Sequence, residues 1–392
     1  MMQTNIPKGY QQTALGLTPQ DWNIGNFQQF WTVTDCKHLT AKFVDVGIPV
    51  ASIREVQSRF VELENAKKTT ENYYLALIEG GRKPQLGDLI FSRNVTVGEV
   101  AQVAEWHPPF AMGQDVCLLR KKQPEFSSDY MQAIIQSPIV LKQLADLMVG
   151  STFKRVNIEQ IRNLIVPMPS PEEQRLIAQA LSDTDAALAE LDRLITKKRN
   201  IKQGAMHQLL MGKKRLPGFS SEWEIKRLGE ILKVRHGKSQ HDIAEENGPF
   251  PILATGGEIG RAKTYLYDKP SVLIGRKGTI DVPQYMDSPF WTIDTLFYTE
   301  IFNNAFPKFV FYRFNLINWY SYNEASGVPS LNAKTIENIE VYLPCVDEQQ
   351  AIAQVLIDMD AEIKALEQKR DKYKAIKQGM MQELLTGRTR LL

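Results

Sequence analysis

Basic and amide side chains follow several apolar segments of this sequence, and they are the residue types that bond the bases and phosphates of nucleic acids. Arginine pairs with guanine, asparagine pairs with adenine, and phosphate contacts position the protein. Any single one of these side chains could instead be a solvated surface charge. A cluster of them is therefore stronger evidence for a nucleic-acid contact than one residue is. We predict DNA contacts at Arg54, Arg59, Arg93, Asn94, Lys238, Arg261, Lys263, Arg276, Lys277 and Tyr285.

Two of these clusters come directly after apolar runs that are typical of strands. Arg93 and Asn94 follow residues 87–92, and we expect them at the exposed end of that strand. Arg276, Lys277 and Gly278 form a short basic turn after a second run. Such a turn suits a phosphate or the edge of a groove.

Two short motifs resemble catalytic ones but lack a required residue. His236-Gly237-Lys238-Ser239 ends like a phosphate-binding loop, yet Leu232 stands where the first glycine is required. His107-Pro108-Pro109-Phe110 has the outline of an amino-methyltransferase tetrapeptide, but histidine replaces the Asp or Asn that accepts from the target amino group. No glycine-rich cofactor loop precedes it. We therefore predict plain turns at both motifs and no catalysis by this chain.

The cysteines and histidines do not have the spacing of a metal site. Cys36, Cys117 and Cys345 are scattered and odd in number, which argues against a disulfide framework and against zinc. His236 and His241 lie five residues apart and could flank DNA, although a solvated loop is the simpler interpretation. We predict no metal and no cofactor.

Composition indicates a multidomain protein without an overall basic bias. The net charge is only +2, so any nucleic-acid surface must be local. Hydrophobic residues at 43% and charged residues at 23% are ordinary for a globular protein, and 392 residues exceed one typical domain. The polar N-terminus does not resemble a signal peptide, and no apolar run reaches the ~18 residues of a membrane span. These features favour the reduced cytoplasm.

A long stretch of the sequence occurs twice. Residues 157–216 and 332–391 align without a gap at an offset of 175, and 26 of 60 positions are identical. A match of this length indicates an internal duplication, which has to be recognised before the fold is interpreted.

Each copy predicts a long helix with an apolar seam. In the first copy Ser170 suits the N-cap, Pro171 the first turn, and Glu173 completes a capping box. In the second copy we expect a cap near Asp347. Apolar positions then recur in steps of four and three, the spacing of a coiled coil. They are Ile177, Leu181, Thr184, Leu188, Leu191 and Ile195, and Ile352, Leu356, Met359, Ile363 and Leu366.

The two helices are expected to pair with each other. About forty residues at ~1.5 Å each give a rod of roughly 60 Å. A single seam would indicate plain oligomerisation, but two copies joined by a long separator favour an antiparallel pair. Gly212 and Gly387 are expected to stop the helices. Gly204 and Gly379 lie inside the helical pattern, where we expect another group to approach the helix closely.

The segments outside the repeat differ from each other. Residues 22–156 and 223–331 each contain short β-rich runs and end in a helical patch, and Trp22 and Trp223 begin them. We find no further alignment between them, and we expect residues 1–20 to be a loose arm. Two unlike inserts on a duplicated frame present two different recognition surfaces. Duplex DNA suits them, because half-sites on one face lie about 34 Å apart.

The chain resembles the specificity subunit of type I restriction-modification systems. The resemblance rests on the proline and Glu-Gln helix entry at residues 169–174, the Ile-Lys-Gln-Gly-x-Met stretch at 201–206, the Leu-Leu-x-Gly-x-x-x-Leu-Pro-Gly-Phe exit at 209–219, and Gly-Asp-Leu-Ile-Phe-Ser-Arg-Asn at 87–94. It covers essentially the whole chain, although the inserts are variable.

The resemblance implies a non-catalytic subunit that recognises a bipartite, asymmetric site in double-stranded DNA. It implies that two methyltransferase (modification) subunits bind the frame and that restriction (translocase–nuclease) subunits join them. The expected α+β fold has target recognition domains at residues 1–168 and 216–343, and antiparallel spacer helices at 169–215 and 344–392. Two alternatives are a coiled-coil scaffold with two protein-binding heads and a methyltransferase that carries its own recognition domains.

Overall fold

The protein forms two compact units. A computed structural model describes residues 6–148 and 154–392. Unit 1 comprises residues 1–190 and 370–392, and unit 2 comprises residues 191–369. Each unit combines β-sheets with helices, so the predicted α+β class is confirmed. Each unit also takes its long-helix segments from both copies of the sequence repeat.

Unit 1 contains a globular head of short strands and helices, followed by a long helix. Its elements are β1 (Tyr10–Thr13), β2 (Gly16–Pro19), β3 (Asn23–Asn26), α1 (Phe27–Phe30), β4 (Trp31–Asp35), β5 (Phe43–Val44), β6 (Ile48–Ala51), β7 (Lys68–Thr69), α2 (Glu71–Ile78), β8 (Leu89–Ser92), β9 (Val100–Gln102), β10 (Ala111–Met112), β11 (Val116–Lys121), α3 (Ser128–Ile135), α4 (Pro138–Leu147), α5 (Ile158–Arg162), β12 (Ile165–Met168) and the first part of α6 (Pro171–Leu209).

Unit 2 contains a head of the same kind and the first part of the second long helix. Its elements are β13 (Glu224–Arg227), a 3₁₀ turn (Leu228–Glu230), β14 (Leu232–Arg235), β15 (Phe250–Ala254), β16 (Gly257–Ala262), β17 (Ser271–Gly275), β18 (Gln284–Met286), β19 (Trp291–Thr292), β20 (Leu296–Ile301), α7 (Pro307–Phe314), a second 3₁₀ turn (Trp319–Tyr322), α8 (Ala333–Glu337), β21 (Glu340–Leu343) and α9 (Val346–Leu384).

The two heads share one topology although their sequences do not align. The main sheet of unit 1 has the order β4-β11-β8-β9, and that of unit 2 has the order β14-β20-β17-β18. A smaller sheet contains a parallel pair in both heads, β6 with β10 and β15 with β19. The strand before the long helix pairs with the strand that directly follows Trp22 or Trp223, β12 with β3 and β21 with β13. The inserts have therefore diverged in sequence within a common fold.

The long helices begin and end close to where the sequence predicts. Ser170 Oγ accepts a hydrogen bond from the Glu173 N–H at 3.2 Å, so Ser170 is the N-cap of α6. The Glu173 carboxylate does not complete the predicted capping box and bonds other residues instead. Helix α9 begins at Val346, which places its cap at Cys345 rather than at Asp347. The helices end before Gly212 and Gly387, whose φ angles of 66° and 72° are left-handed, as the stop signal requires.

Within unit 1, the start of α6 and the end of α9 run antiparallel. Thr184 of α6 bonds Met380 of α9 at 3.5 Å, and one residue further along α6 Asp185 pairs with Lys377. Residue numbers thus rise along one helix as they fall along the other. Ile177 and Leu181 of α6 are buried together with Leu384 and Leu385 in the core of the head.

Within unit 2, the end of α6 and the start of α9 are paired in the same sense. Lys198 forms an ion pair with Glu362 at 2.7 Å, and Lys202 pairs with Asp360. The predicted seam is confirmed in both units, because most of its positions are buried and Thr184, Leu188, Met359 and Leu366 are half-buried. In unit 2 the buried seam positions are Leu191, Ile195, Ile352, Leu356 and Ile363.

One expectation about the frame is wrong, and a second finds no support within the chain. Residues 10–19 are not a loose arm, because β1 and β2 form a hairpin and the Tyr10 hydroxyl donates to the Gly387 carbonyl at 2.9 Å. Gly204 and Gly379 are not sites of close approach within the chain, since a Cβ at either position would meet no atom within 4 Å among the described residues.

Candidate nucleic-acid interface

In unit 1, the strand β8 leads directly into a tight turn at the edge of the head, which we call turn 1 (residues 93–95). The Arg93 N–H donates to the Asp115 carbonyl at 2.8 Å, and the Arg93 carbonyl accepts from the Val156 N–H at 2.9 Å. The Val95 N–H donates to the Lys154 carbonyl at 3.0 Å. Three backbone bonds thus fix a turn of three residues.

In unit 2, the strand β17 leads into an equivalent turn, turn 2 (residues 276–278). The Arg276 N–H donates to the Thr295 carbonyl at 2.8 Å, and the Arg276 carbonyl accepts from the Leu331 N–H at 2.9 Å. The Gly278 N–H donates to the Pro329 carbonyl at 2.9 Å. The two turns therefore have the same backbone hydrogen bonds and different side chains.

Arg93 is not at the exposed surface that the sequence predicts. Its side chain is only 4% exposed, and one guanidinium nitrogen lies 2.6 Å from a carboxylate oxygen of Asp35. The Cys36 sulfur lies 3.9 Å from the same nitrogen. Because its guanidinium is enclosed and paired, Arg93 holds turn 1 in place and is a positioning residue in this structure.

Asn94 is partly exposed at turn 1. Its side-chain oxygen accepts from the Val95 N–H at 3.0 Å, and its side-chain amide nitrogen takes no part in this bond. Lys154 and Arg155 are exposed beside it on the neighbouring segment. The sequence analysis missed these two basic residues, and the signal that could have found them is their position just before the repeat.

In unit 2 the basic residues fall into two groups. Lys238, Lys263 and Lys277 are exposed. Arg276 is half-buried and pairs with Asp294 at 2.6 Å, whereas Arg261 donates to the carbonyls of Gly248 and Pro249. The lysines are therefore available to a ligand, and the two arginines also hold the local backbone.

Arg54 and Arg59 of unit 1 are not part of turn 1. Arg54 is exposed at the rim of a cavity of about 900 Å³. Arg59 donates to Asp129 at 2.9 Å and to Ser182 of α6 at 2.9 Å. Arg59 therefore fastens the head to the long helix, and this role competes with contact to a ligand.

Tyr285 is half-buried, and burial raises the pKa of its phenol. The Lys308 ammonium lies 3.6 Å from the centre of its ring, and the Phe311 ring lies 5.7 Å away. Burial also lowers the pKa of Lys308. This cation–π contact gives Lys308, which the sequence analysis missed, a fixed position next to Tyr285.

The glutamate of the repeated Glu-Gln pair bonds residues of the head and so fastens each head to its long helix. Glu173 is buried and accepts from the Trp22 indole N–H at 2.9 Å and from Arg390 at 2.6 and 2.8 Å. Arg390 also bonds Asp21 at 2.8 Å. We call Trp22, Glu173 and Arg390 clasp 1. Hydrogen bonds to Glu173 and Asp21 raise the pKa of the Arg390 guanidinium above its ordinary value.

Unit 2 has the same arrangement, clasp 2, formed by Trp223, Glu348 and Arg215. Glu348 accepts from the Trp223 indole at 3.1 Å and from Arg215 at 2.6 and 2.7 Å. Arg215 donates in addition to the Ser221 carbonyl at 2.9 Å. Both clasps join the start of one long helix to the residues that follow the end of the other.

A histidine in each of the two motifs that resemble catalytic ones makes a contact within its head. His107 accepts from the Ala104 N–H at 3.0 Å, and burial lowers the pKa of its imidazole. His236 packs edge-on against Phe297 with ring centres 4.9 Å apart. A group of Asp35, Cys36 and His38 has ligand atoms within 4.8 Å of one another, and one oxygen of the Asp35 carboxylate pairs with the Arg93 guanidinium.

Within the described part of the chain, no helix is both long enough and apolar enough to span a membrane.

The fold defines a protein with two heads of one topology, each fastened to a pair of antiparallel helices. The family model described as the type I restriction modification DNA specificity domain matches residues 26–202 and 220–375. The chain belongs to this family, and its identification as a specificity subunit rather than a catalytic one is confirmed.

Individual relatives resemble the chain over most of its length. It is 24% identical over 431 residues to the putative type I restriction enzyme MjaX specificity subunit of Methanocaldococcus jannaschii, with 100% of this chain and 99% of that protein covered. It is 23% identical over 300 residues to the type I restriction enzyme EcoprrI specificity subunit of Escherichia coli, with 72% and 73% covered.

Solved structures support the fold. The type I restriction-modification S subunit from M. genitalium superimposes with a TM-score of 0.61 at 17% identity, covering 98% of both chains. A chain from a study of complex assembly and conformational transition in the type I system gives 0.63 at 16% identity, covering 94% of this chain and 99% of the other.

Proposed function

We propose that this chain is the DNA-recognition subunit of a type I restriction-modification enzyme and that each head reads one half of a bipartite, asymmetric site. The observation that carries the proposal is the equivalence of turns 1 and 2. One backbone geometry presents Asn94 and Val95 in the first head and Lys277 and Gly278 in the second. Different side chains on the same frame suit two different half-sites, because base edges are distinguished by side chains.

The repeated frame supports a second part of the proposal. We take residues 1–168 and 216–343 as target recognition domains and residues 169–215 and 344–392 as the spacer helices. Duplicated residues offer two similar surfaces, which suits the binding of two identical methyltransferase subunits. Restriction subunits would join this assembly in the cytoplasm, where the DNA is.

The candidate DNA contacts remain proposals, and they separate by exposure. Lys238, Lys263 and Lys277 are exposed and suit phosphates. Asn94 suits a base edge. Arg54 is exposed and also suits a phosphate. Arg59, Arg261, Arg276 and Tyr285 have competing partners, and Arg93 acts through turn 1.

The first experiment assembles the purified chain with its methyltransferase subunits and sequences the methylated DNA. We expect methylation at one two-part sequence. An assembly that methylates no particular duplex sequence would refute the recognition role and would favour a protein-binding scaffold.

The second experiment exchanges residues 22–156 for the matching head of another family member. We expect one half of the target to change and the other to stay. A change in both halves would contradict the division into independent heads. Lengthening both helices by one or two turns should widen the spacer between the halves, and an unchanged spacer would reject the role of the helices in setting it.

A third experiment separates phosphate contacts from base contacts. Lys277→Ala should weaken binding by a similar factor on all sequences and reduce the salt dependence by about one phosphate contact. Exposed Lys269 lies in the same unit, and Lys269→Ala provides a matched control that should leave the salt dependence unchanged.

A further inference from the structure

Val95, at the tip of turn 1, has an unusual backbone conformation. Its φ angle is 60°, in the left-handed region, and its side chain is 65% exposed. A β-branched residue is a genuine outlier in this region, because its Cβ substituents clash with the backbone. An exposed isopropyl group gains little from packing within the head, so the core does not explain this valine.

The surroundings of Val95 force this conformation on it. The N–H of Val95 bonds the Lys154 carbonyl, and both backbone groups of Arg93 are bonded to neighbouring segments. The buried Arg93–Asp35 ion pair holds the base of the turn. Strain of this kind persists only where the surrounding structure fixes it, and it concentrates at functional sites.

Unit 2 shows which residue the turn itself requires. The equivalent position is Gly278, with φ at 88° and the same backbone bond to the neighbouring segment. Glycine adopts this conformation without strain. A glycine at position 95 would therefore serve the fold at least as well, and the valine side chain has another use.

The chemistry around Val95 indicates what that use is. Asn94 precedes Val95, and the backbone of Lys154 and Arg155 is paired with this segment, so amide and basic residues adjoin an exposed apolar group. Amide and basic side chains contact base edges and phosphates, and small apolar groups contact the thymine methyl in the major groove. We propose that Val95 is a specificity residue that contacts a thymine C5-methyl in the half-site read by unit 1. This inference rests on the function proposed above.

The test uses the full chain, assembled with its methyltransferase subunits, and its mapped target. Each thymine of the first half-site is replaced in turn by uracil, which removes only the methyl group. We expect one position at which uracil weakens binding by the wild-type chain about fourfold. This factor corresponds to the free energy of burying one carbon group. Val95→Gly should bind thymine and uracil equally at that position.

Two further variants separate contact from strain. Val95→Ala keeps a Cβ in the left-handed conformation but removes both methyl groups, and it should lose the thymine preference as Val95→Gly does. Val46 is 89% exposed elsewhere in unit 1, and Val46→Gly should keep the wild-type preference. The thermal midpoint of Val95→Gly should not fall below that of the wild type.

The outcomes are distinguishable from those for the proposed function. If the wild-type assembly recognises a specific sequence but Val95→Gly keeps every thymine preference, the inference is wrong while the function stands. A first half-site without thymine, or a lowered thermal midpoint for Val95→Gly, would overturn the inference too. If the wild-type assembly recognises no sequence, the function itself has failed.

Discussion

The junction between head and helix is formed in two different ways in the two units. In unit 2, residues 210–222 connect the end of α6 to Trp223, so clasp 2 closes a short continuous loop. In unit 1, clasp 1 joins Trp22 and Arg390, which are 368 positions apart in the sequence (390 − 22). The same three side-chain types therefore meet in both units. In unit 2 a short stretch of chain links the arginine to the tryptophan, and in unit 1 no such short link exists.

Unit 1 has additional contacts where the chain is interrupted. Arg390 bonds Asp21 as well as Glu173, and Tyr10 bonds the Gly387 carbonyl. Bringing separate chain segments together costs more conformational entropy than closing a short loop. The comparison teaches that a duplicated junction keeps its geometry when the backbone is interrupted, provided that further non-covalent contacts replace the link.

The largest expected effect comes from breaking clasp 1. Arg390→Met removes the bidentate partner of buried Glu173 and should destabilise unit 1 by about 2 kcal/mol, below the range for fully buried pairs because Arg390 is partly exposed. Hydrogen exchange of unit 1 and unit 2 peptides measures the loss in each unit. The matched variant Arg215→Met should lower the protection of unit 2 by less. An equal or larger loss in unit 2 would contradict the role assigned to the covalent link.

The second prediction compares two aspartates at equivalent positions of the long helices, and here the larger loss of stability is expected in unit 2. Asp360 accepts from the Tyr312 hydroxyl at 2.7 Å and pairs with Lys202, whereas its repeat equivalent Asp185 pairs with Lys377. Asp360→Ala leaves a buried tyrosine hydroxyl without its acceptor and should cost about 1.5 kcal/mol. Asp185→Ala should cost about 0.5 kcal/mol. Chemical denaturation followed by exchange in each unit checks the difference, and equal losses would show that the tyrosine bond adds nothing.

The stability of turn 2 should depend on the glycine at position 278. Gly278→Ala places a Cβ on a backbone with φ at 88°, and the nearest atom to that Cβ is 3.9 Å away, so strain rather than crowding is the cost. We expect a loss of about 1 kcal/mol in unit 2, measured by thermal unfolding. Gly256 is also surrounded by open space but has no left-handed φ, and Gly256→Ala is the control that should be near neutral.

The smallest effect is a pH dependence confined to unit 1. Burial lowers the pKa of His107 below 6.5, more than the Val61 carbonyl raises it. The unfolded chain therefore binds this proton more readily, so the stabilisation is complete above pH 6.5 and is lost as the pH falls through the lowered value. We expect under about 1 kcal/mol, because the imidazole is partly exposed. His107→Asn should remove this loss, and an unchanged pH profile would exclude His107 as its source.

The sequence predicts the frame well because its signals are periodic or repeated. The seam residues recur every three or four positions, and the two residue types that form the clasps recur at the fixed offset of 175, Glu173 with Glu348 and Arg215 with Arg390. Helix ends at Gly212 and Gly387 follow from backbone conformations that few residues adopt.

The heads could be predicted only in part. Short strands with different residues give no alignment, so the common topology of the heads becomes visible only in their sheet order. The burial of Arg93 depends on Asp35, which lies on a strand far away in sequence, and no local pattern reports that contact. Positive φ at Val95 is likewise invisible, because the segment lacks the glycine that marks it in unit 2.

The reciprocity of the two clasps has a consequence for how such a chain could have originated. Each repeat contains a glutamate at the start of its helix and an arginine beyond the end. These two residues are at opposite ends of a 39-residue helix, so each bonds its counterpart in the other repeat. Two copies of a single-repeat polypeptide would each supply what the other lacks, as in an isologous dimer. Fusion of the two genes would then preserve both clasps and leave each head free to mutate independently.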